Sequence, residues 1–303
     1  MKDMAQSATV AVIDVGSNSI KLLIAGAGSG GNRVETVYSE TLETRISEGI
    51  SRDSPELSQE AMQAAIKTIR ELLKSAKRHQ PLMIRIVATS AVRDALNGQA
   101  FAETVGKETG HALEILSGTE EAVLIGRGLA CDPDLQKYSR FLQMDIGGGS
   151  VEFIRFERHQ IKQAYSLQLG AVRLSEQFLP DRAAPVDPSI TDAIRRHVYE
   201  AVKTCGLLLD PEAGPLIATG GAIVVVRAVL AARDGVNCTS RAPQISLEEI
   251  SQLSRELCAC PLDQRLLIPH LPAARADILP TALITIEAVL QLAQRNSLTH
   301  SFY

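Results

Sequence analysis

Val12-Ile13-Asp14-Val15-Gly16-Ser17-Asn18-Ser19-Ile20-Lys21-Leu22-Leu23-Ile24 runs from one apolar stretch through Asp, Gly and Ser into another. The pattern returns as Phe141-Leu142-Gln143-Met144-Asp145-Ile146-Gly147-Gly148-Gly149-Ser150-Val151-Glu152-Phe153. In each copy a β-type run ends in Asp, a glycine-containing turn with Ser follows, and a second apolar run leads away. Each therefore reads as a hairpin with a tight turn. The two aspartates stand 131 positions apart (145 − 14) in a chain of 303 residues, a length that suggests about two domains.

A hairpin alone needs neither the carboxylate nor the hydroxyls. Gly16 and Gly147 to Gly149 are expected to take positive φ and let the backbone approach a ligand, and successive N–H groups in such a turn make a concave anion site. Ser17, Asn18, Ser19 and Ser150 add donors. Asp14 and Asp145 are hard oxygen ligands suited to Mg2+, which reaches a phosphate through one or two carboxylates and several waters. Two such turns, one per domain and facing each other, would grip a phosphate chain from both sides. The plainer reading of either copy alone is a glycine-rich turn with a solvated Asp; the repetition weighs against it.

Composition narrows the partners. With 45% hydrophobic residues the chain can bury a core in each domain. A net charge of −4 marks neither a nucleic-acid nor a membrane-surface binder, so an anionic ligand must be held by local donors and metal. The segment from Met1 to Ser7 leads straight into a strand, and no signal peptide is expected. Ala222 to Ala232 and Ile278 to Ala293 are broken by Arg227, Pro280 and Glu287 and fall short of a membrane span. Five scattered cysteines fit a reduced cytoplasm. Cys258 and Cys260 with His270 have the wrong spacing for a usual zinc site, and the six histidines read as surface or packing residues.

Along the chain, Gly26 to Asn32 reads as a turn and Val34 to Thr44 as a strand. Ser54-Pro55 is expected to open a helix, on the cap-then-proline pattern. A buried strand over Met83 to Ala88 then leads to Arg93, just past its carboxyl end, where open α/β sheets place ligands. A guanidinium there could clamp phosphate oxygens or simply pair with Asp94, and position does not choose between them. Ser117-Gly118-Thr119-Glu120 fits a capping box, which gives Glu120 a structural task. Glu121 projects elsewhere: it could deprotonate an attacking water or merely favour the helix dipole, and the residues alone favour the dipole. Glu152 is either a metal partner beside Asp145 or the outward residue of an alternating strand. Asp187-Pro188 starts a helix running to Leu209, and Thr219-Gly220-Gly221 places a strand against a helix start, a ready anion or nucleotide site. Ser246 to Glu249 is another capping box, a last helix covers Arg275 to Gln294, and Leu298 to Tyr303 begins one more strand.

Six stretches in this order give the chain a familiar outline: Asp14 to Ser19, Ala88 to Asn97, Ser117 to Ala122, Asp145 to Glu152, Leu169-Gly170-Ala171-Val172-Arg173-Leu174, and Thr219 to Gly221. Together they resemble the exopolyphosphatase/guanosine pentaphosphate phosphohydrolase (Ppx/GppA) family over nearly the whole chain. The resemblance implies an α/β protein of two ribonuclease H-like domains, the actin-like ATPase fold, with the site in an interdomain cleft. The domains would be 1–125 and 126–294, with 295–303 a candidate completion of the first. It implies a hydrolase that removes the terminal phosphate of an anhydride chain, with Glu121 as general base, overturning the dipole reading. Asp14, Asp145 and Glu152 would surround Mg2+. Gly16, Ser17, Asn18, Arg93, Gly147, Gly148 and Ser150, with Gly220 and Gly221, would hold substrate phosphates.

Three departures stand out. Val151 replaces a frequent hydroxyl residue, Ala222 replaces the Thr that often follows the Gly-Gly pair, and the chain stops at Tyr303 without the helical region of the long family members. The short form suggests short polyphosphate chains or nucleotide-like substrates. Inorganic polyphosphate is the first expected substrate and guanosine pentaphosphate the second. A kinase of the same fold and a non-catalytic polyphosphate or alarmone binder are the rivals. Relatives are often dimers, so a homodimer is allowed although no patch demands one.

Overall fold

Both repeated stretches fold as hairpins, in the same register. In the computed structural model, which describes residues 8–28, 34–51, 54–209 and 214–303, β1 (Thr9–Val15) pairs antiparallel with β2 (Ser19–Ala27), Asp14 facing Lys21. The expected turn over Gly26 to Asn32 lies partly outside the described residues, and the Met1 to Ser7 segment wholly so.

The chain divides into two units, Met1–Ser117 and Gly118–Tyr303. In the first, β3 (Val34–Glu43), α1 (Gln59–Arg78), β4 (Met83–Ala88), α2 (Ser90–Arg93), α3 (Gly98–Thr109) and β5 (Leu113–Ile115) complete a sheet of order β3-β2-β1-β4-β5. The pairs β1–β2 and β2–β3 are antiparallel, β1–β4 and β4–β5 parallel. Alternation sends Ile13, Val15, Ile20 and Leu22 into a core with Ile69 and Leu72 of α1 and Phe101 and Val105 of α3.

The expected start of α1 at Ser54-Pro55 is not observed. The backbone there is engaged elsewhere: Leu96 N donates to Pro55 O (2.8 Å), and Asn97 exchanges two bonds with the backbone of Leu57 (2.9 and 2.8 Å). Ser58, the next competent residue, caps instead, its hydroxyl accepting from Ala61 N at 3.0 Å.

The second unit opens with α4 (Gly118–Leu129), then β6 (Arg140–Ile146), β7 (Val151–Glu157), β8 (Gln160–Leu167), α5 (Ala171–Phe178), α6 (Pro188–Thr204), β9 (Leu216–Thr219) and α7 (Gly221–Arg233). It closes with β10 (Gln244–Ser246), α8 (Leu247–Ala259), α9 (Leu262–Arg265), α10 (Ala273–Ala276), α11 (Leu279–Leu292) and β11 (Ser297–His300). Its sheet runs β10-β11-β9-β6-β7-β8. From β8 to β11 the order and strand directions repeat those of the first sheet, with three antiparallel strands followed by two parallel ones. This is the ribonuclease H-like plan, present twice.

The first unit ends after Ser117, earlier than the expected 125. The cause is α4, whose Ala122 and Leu129 pack with Phe141, Ile154 and Phe156 of the second sheet. Segment 295–303 likewise does not complete the first sheet, since β11 lies between β9 and β10. The expected last helix is split into α10 and α11, with Pro280 in the first turn of α11, where its missing N–H costs nothing. Nearly every side chain of α11 is buried, and it forms the centre of the larger core. Asp187-Pro188 and Ser246 to Glu249 cap α6 and α8 as expected, while α6 ends at Thr204, before Gly206 at φ 79. Among the described residues no helix is long and apolar enough to cross a membrane, and the five cysteines are free.

Candidate functional site

The first turn is closed by Gly16 N donating to Ser19 O at 3.2 Å. A Cβ on Gly16 would sit 3.0 Å from that same oxygen, so any larger residue would have to push the turn open by a few tenths of an ångström. The expected positive φ is not found at Gly16 or at Gly147 to Gly149. Ser17 O accepts from Ser47 N (3.2 Å), and Asn18 O accepts from Thr44 N and Arg45 N (3.0 and 2.9 Å). Because a trans peptide is planar, its N–H points opposite to its C=O; the amides of Asn18 and Ser19 therefore face away from that support. Ser17, Asn18 and Ser19 are buried, and Asn18 donates through Nδ2 to Glu43. Arg93 ends α2 with Nη1 on Leu116 O at 3.0 Å and Nε 3.7 Å from Asp94, so the pairing allowed by the sequence exists beside a carbonyl contact.

The second turn repeats this construction. Gly147 N donates to Ser150 O at 3.0 Å, and a Cβ on Gly147 would lie 3.1 Å from it. Its carbonyls are also held from behind: Gly147 O by Ala171 N (3.0 Å), Gly148 O by Val172 N and Arg173 N (2.8 and 3.2 Å), and Gly149 O by Arg173 Nε (2.9 Å). The amides of Gly148, Gly149 and Ser150 consequently face the other way. The third glycine turn lies alongside. Gly220 takes φ 95, and a Cβ there would come within 2.5 Å of Ile146 O. A Cβ on Gly221 would strike the guanidinium of Arg275.

Three acidic residues of the second unit, Asp145, Glu152 and Glu121, lie within one another's electrostatic reach. Asp145 and Glu152 face each other across β6 and β7, and the equivalent of Glu152 in the first hairpin is the exposed Lys21. Thr219 donates to Asp145, and Gln143 Nε2 to Thr219 Oγ1 at 3.3 Å. Ser166 donates to Glu152 at 2.7 Å. Glu152 is almost wholly buried. Burial, then the neighbouring charges of Glu121 and Asp145, push its carboxyl well above the usual carboxylate range, against the hydrogen bonds of Ser150 and Ser166. Glu121, on the first turn of α4, is buried.

Thus Asp145, Glu152, Glu121, Gly147, Gly148, Ser150, Gly220 and Gly221 belong to the second unit, and Asp14, Gly16, Ser17, Asn18 and Arg93 to the first. Among the described residues no group of three or more His, Cys, Asp or Glu has the spacing of a ready-made metal cage. Three carboxyl groups in one field, with one driven towards its neutral form, nevertheless make a donor set that a divalent cation would relieve. Sequence reading assigned no role to Arg173, Thr219, Gln143 or Ser166. The first three lie inside quoted stretches, but Ser166 reaches the site only through strand register.

With this geometry in hand, comparison with known proteins is decisive: residues 23–303 match the model of the Ppx/GppA phosphatase family. The chain belongs to that family. Exopolyphosphatase 2 of Mycobacterium tuberculosis is 32% identical over 291 residues, covering 92% of this chain and 88% of that protein. The crystal structure of an exopolyphosphatase from Cytophaga hutchinsonii superposes with a TM-score of 0.86 at 27% identity, covering 97% and 94% of the two chains. A Ppx/GppA family member from Aquifex aeolicus shares the fold at a TM-score of 0.78 and 20% identity, with 97% and 93% covered. Membership of the Ppx/GppA family accounts for the doubled ribonuclease H-like plan and makes the chain a phosphatase.

Proposed function

We propose that this phosphatase is an Mg2+-dependent exopolyphosphatase that hydrolyses the terminal phosphoanhydride of inorganic polyphosphate, short chains above all, and releases orthophosphate. The observation that carries the reading is the turn over Gly147 to Ser150, where the carbonyls of Gly147, Gly148 and Gly149 are occupied from behind so that the amides of Gly148, Gly149 and Ser150 are left to receive phosphate oxygens. In the first unit the held carbonyls of Ser17 and Asn18 leave the amides of Asn18 and Ser19 for the same use, and the Arg93 fork adds a planar pair of donors. Asp145 and Glu152 would hold Mg2+, with Asp14 at the matching place of the first repeat. The ion supplies charge neutralisation at the phosphate oxygens.

Glu121 accepts the proton of the attacking water as its oxygen bonds to the terminal phosphorus. The anhydride P–O bond breaks, and the shortened chain leaves with its electron pair. The same donors suit the polyphosphate end of guanosine pentaphosphate, the second substrate of choice.

The test is phosphate release from short and long polyphosphate, guanosine pentaphosphate and ATP, with Mg2+ or with chelator, by the unsubstituted protein and Glu121→Gln. Metal-dependent release from polyphosphate, lowered about 10²–10⁴-fold in the variant, is expected for a lost general base. Equal turnover by Glu121→Gln would sink its role, and binding without release would favour a non-catalytic sensor.

A further inference from the structure

Nothing in the proposed chemistry uses Arg173, yet it is 7% exposed and lies directly behind the second turn. Burying a guanidinium costs several kcal/mol even when it is well bonded, so an apolar residue would fill the space more cheaply. What the guanidinium does there is specific. Its Nε donates to Gly149 O at 2.9 Å, while its own backbone N–H and that of Val172 donate to Gly148 O. The peptide plane that carries the Gly149 amide is thereby held by two backbone N–H groups, and the plane that carries the Ser150 amide by the Arg173 side chain. Gly170 completes the clamp, since a Cβ there would lie 2.4 Å from the backbone of Gly148 and Gly149.

The first unit supplies an internal control. Asn18 stands at the place of Gly149 in the earlier repeat, and its carbonyl is held as well, by the backbone amides of Thr44 and Arg45. The contact recurs in both copies by unrelated means. Holding this carbonyl is the shared requirement, and in the second copy a charged side chain meets it.

We propose that Arg173 is a positioning residue for substrate binding: its side chain fixes the Gly149–Ser150 peptide plane so that the Ser150 amide faces the phosphate, and sets its positive charge behind the turn. This rests on the phosphate-binding reading given above.

The test compares Arg173→Met, which keeps the bulk but loses donor and charge, with Arg173→Lys, which keeps both. Loss of a charge-assisted hydrogen bond and of the set Ser150 amide should raise KM for tripolyphosphate by about 10-fold in Arg173→Met. Arg173→Lys should recover most of that, and kcat should move much less than KM. Calorimetric binding of tripolyphosphate in the Glu121→Gln background should weaken by the same factor, independently of turnover. Should Arg173→Met not fold, Arg173→Gln, which keeps a shorter donor but loses the charge, is compared with Arg173→Lys in its place and should likewise raise KM and weaken binding. A lowered melting temperature with unchanged KM and binding would overturn the proposal, as would Arg173→Lys behaving like Arg173→Met. If the unsubstituted protein binds tripolyphosphate but releases no phosphate, the hydrolase reading fails while the binding arm still decides on Arg173. Absence of binding would overturn both.

Discussion

Acidification should strip stability from the second unit through one residue, His300. It sits 3% exposed on β11, its Nδ1 3.4 Å from Arg227 Nη1 and its ring 4.5 Å from that of Phe302. Arg227 is itself buried and lies 5.0 Å from the Phe302 ring. Burial first, and the guanidinium second, lower the pKa of His300 from 6.5 to about 4. Between those two values the unfolded chain binds a proton that the folded one refuses, so stability is complete above pH 6.5 and falls as pH drops towards 4. At pH 4.5 the loss relative to pH 7 is about 2.5 kcal/mol. Urea unfolding followed by tyrosine fluorescence suits the measurement. The chain has no Trp, and four of its five tyrosines, Tyr138, Tyr165, Tyr199 and Tyr303, are in the second unit. Replacing His300 with Gln removes the titrating group, so the fall in stability from pH 7 to pH 4.5 should shrink by about that 2.5 kcal/mol. An identical pH slope in the two proteins would refute the assignment.

Other expectations follow from the same structure. Asp145→Asn keeps the shape but removes a charge facing Glu152; the midpoint of an Mg2+ titration of activity should rise, and an unaltered metal response would count against it as a ligand. Arg93→Lys loses the planar fork and should raise KM for polyphosphate, read in steady-state assays. Ser58→Ala should cost about 1 kcal/mol in denaturant unfolding as a lost helix cap, whereas Ser54→Ala should cost almost nothing. Gly220→Ala meets both a φ of 95 and an oxygen 2.5 Å away, and should destabilise the second unit by roughly 2 kcal/mol or more in the same experiment.

Much of the fold is legible where local chemistry is decisive. Alternating apolar runs ending in Asp and Gly declared both hairpins, and Asp187-Pro188 and Ser246 with Glu249 declared their helix starts. Ser54-Pro55 carried the same signal and misled, because Asn97, forty positions beyond Leu57, draws the intervening backbone into other bonds. No local rule contains that contact. The boundary near 117 was hidden in the same way, since the apolar face of α4 does not say which sheet it covers. At the site, Gly220 and the acidic pair were visible as residue types. Their relations were not: that Asp145 faces Glu152 depends on hairpin register, and that Ser166 reaches Glu152 depends on a third strand. The glycines of the two turns were expected for backbone freedom, and none of them takes a positive φ; Gly16 and Gly147 are instead tight against the oxygen that closes each turn.

The tied carbonyls also decide which sign of charge these turns accept. A peptide plane that rotates by half a turn exchanges a donor for an acceptor, so a free glycine loop can serve an anion at one moment and a sodium or potassium ion at another. With Gly147, Gly148 and Gly149 each bonded at the oxygen, that exchange is closed off, and the backbone presents hydrogen alone. Any cation drawn to this place must be held by side-chain carboxylates, leaving backbone and side chains to discriminate opposite charges a few bonds apart.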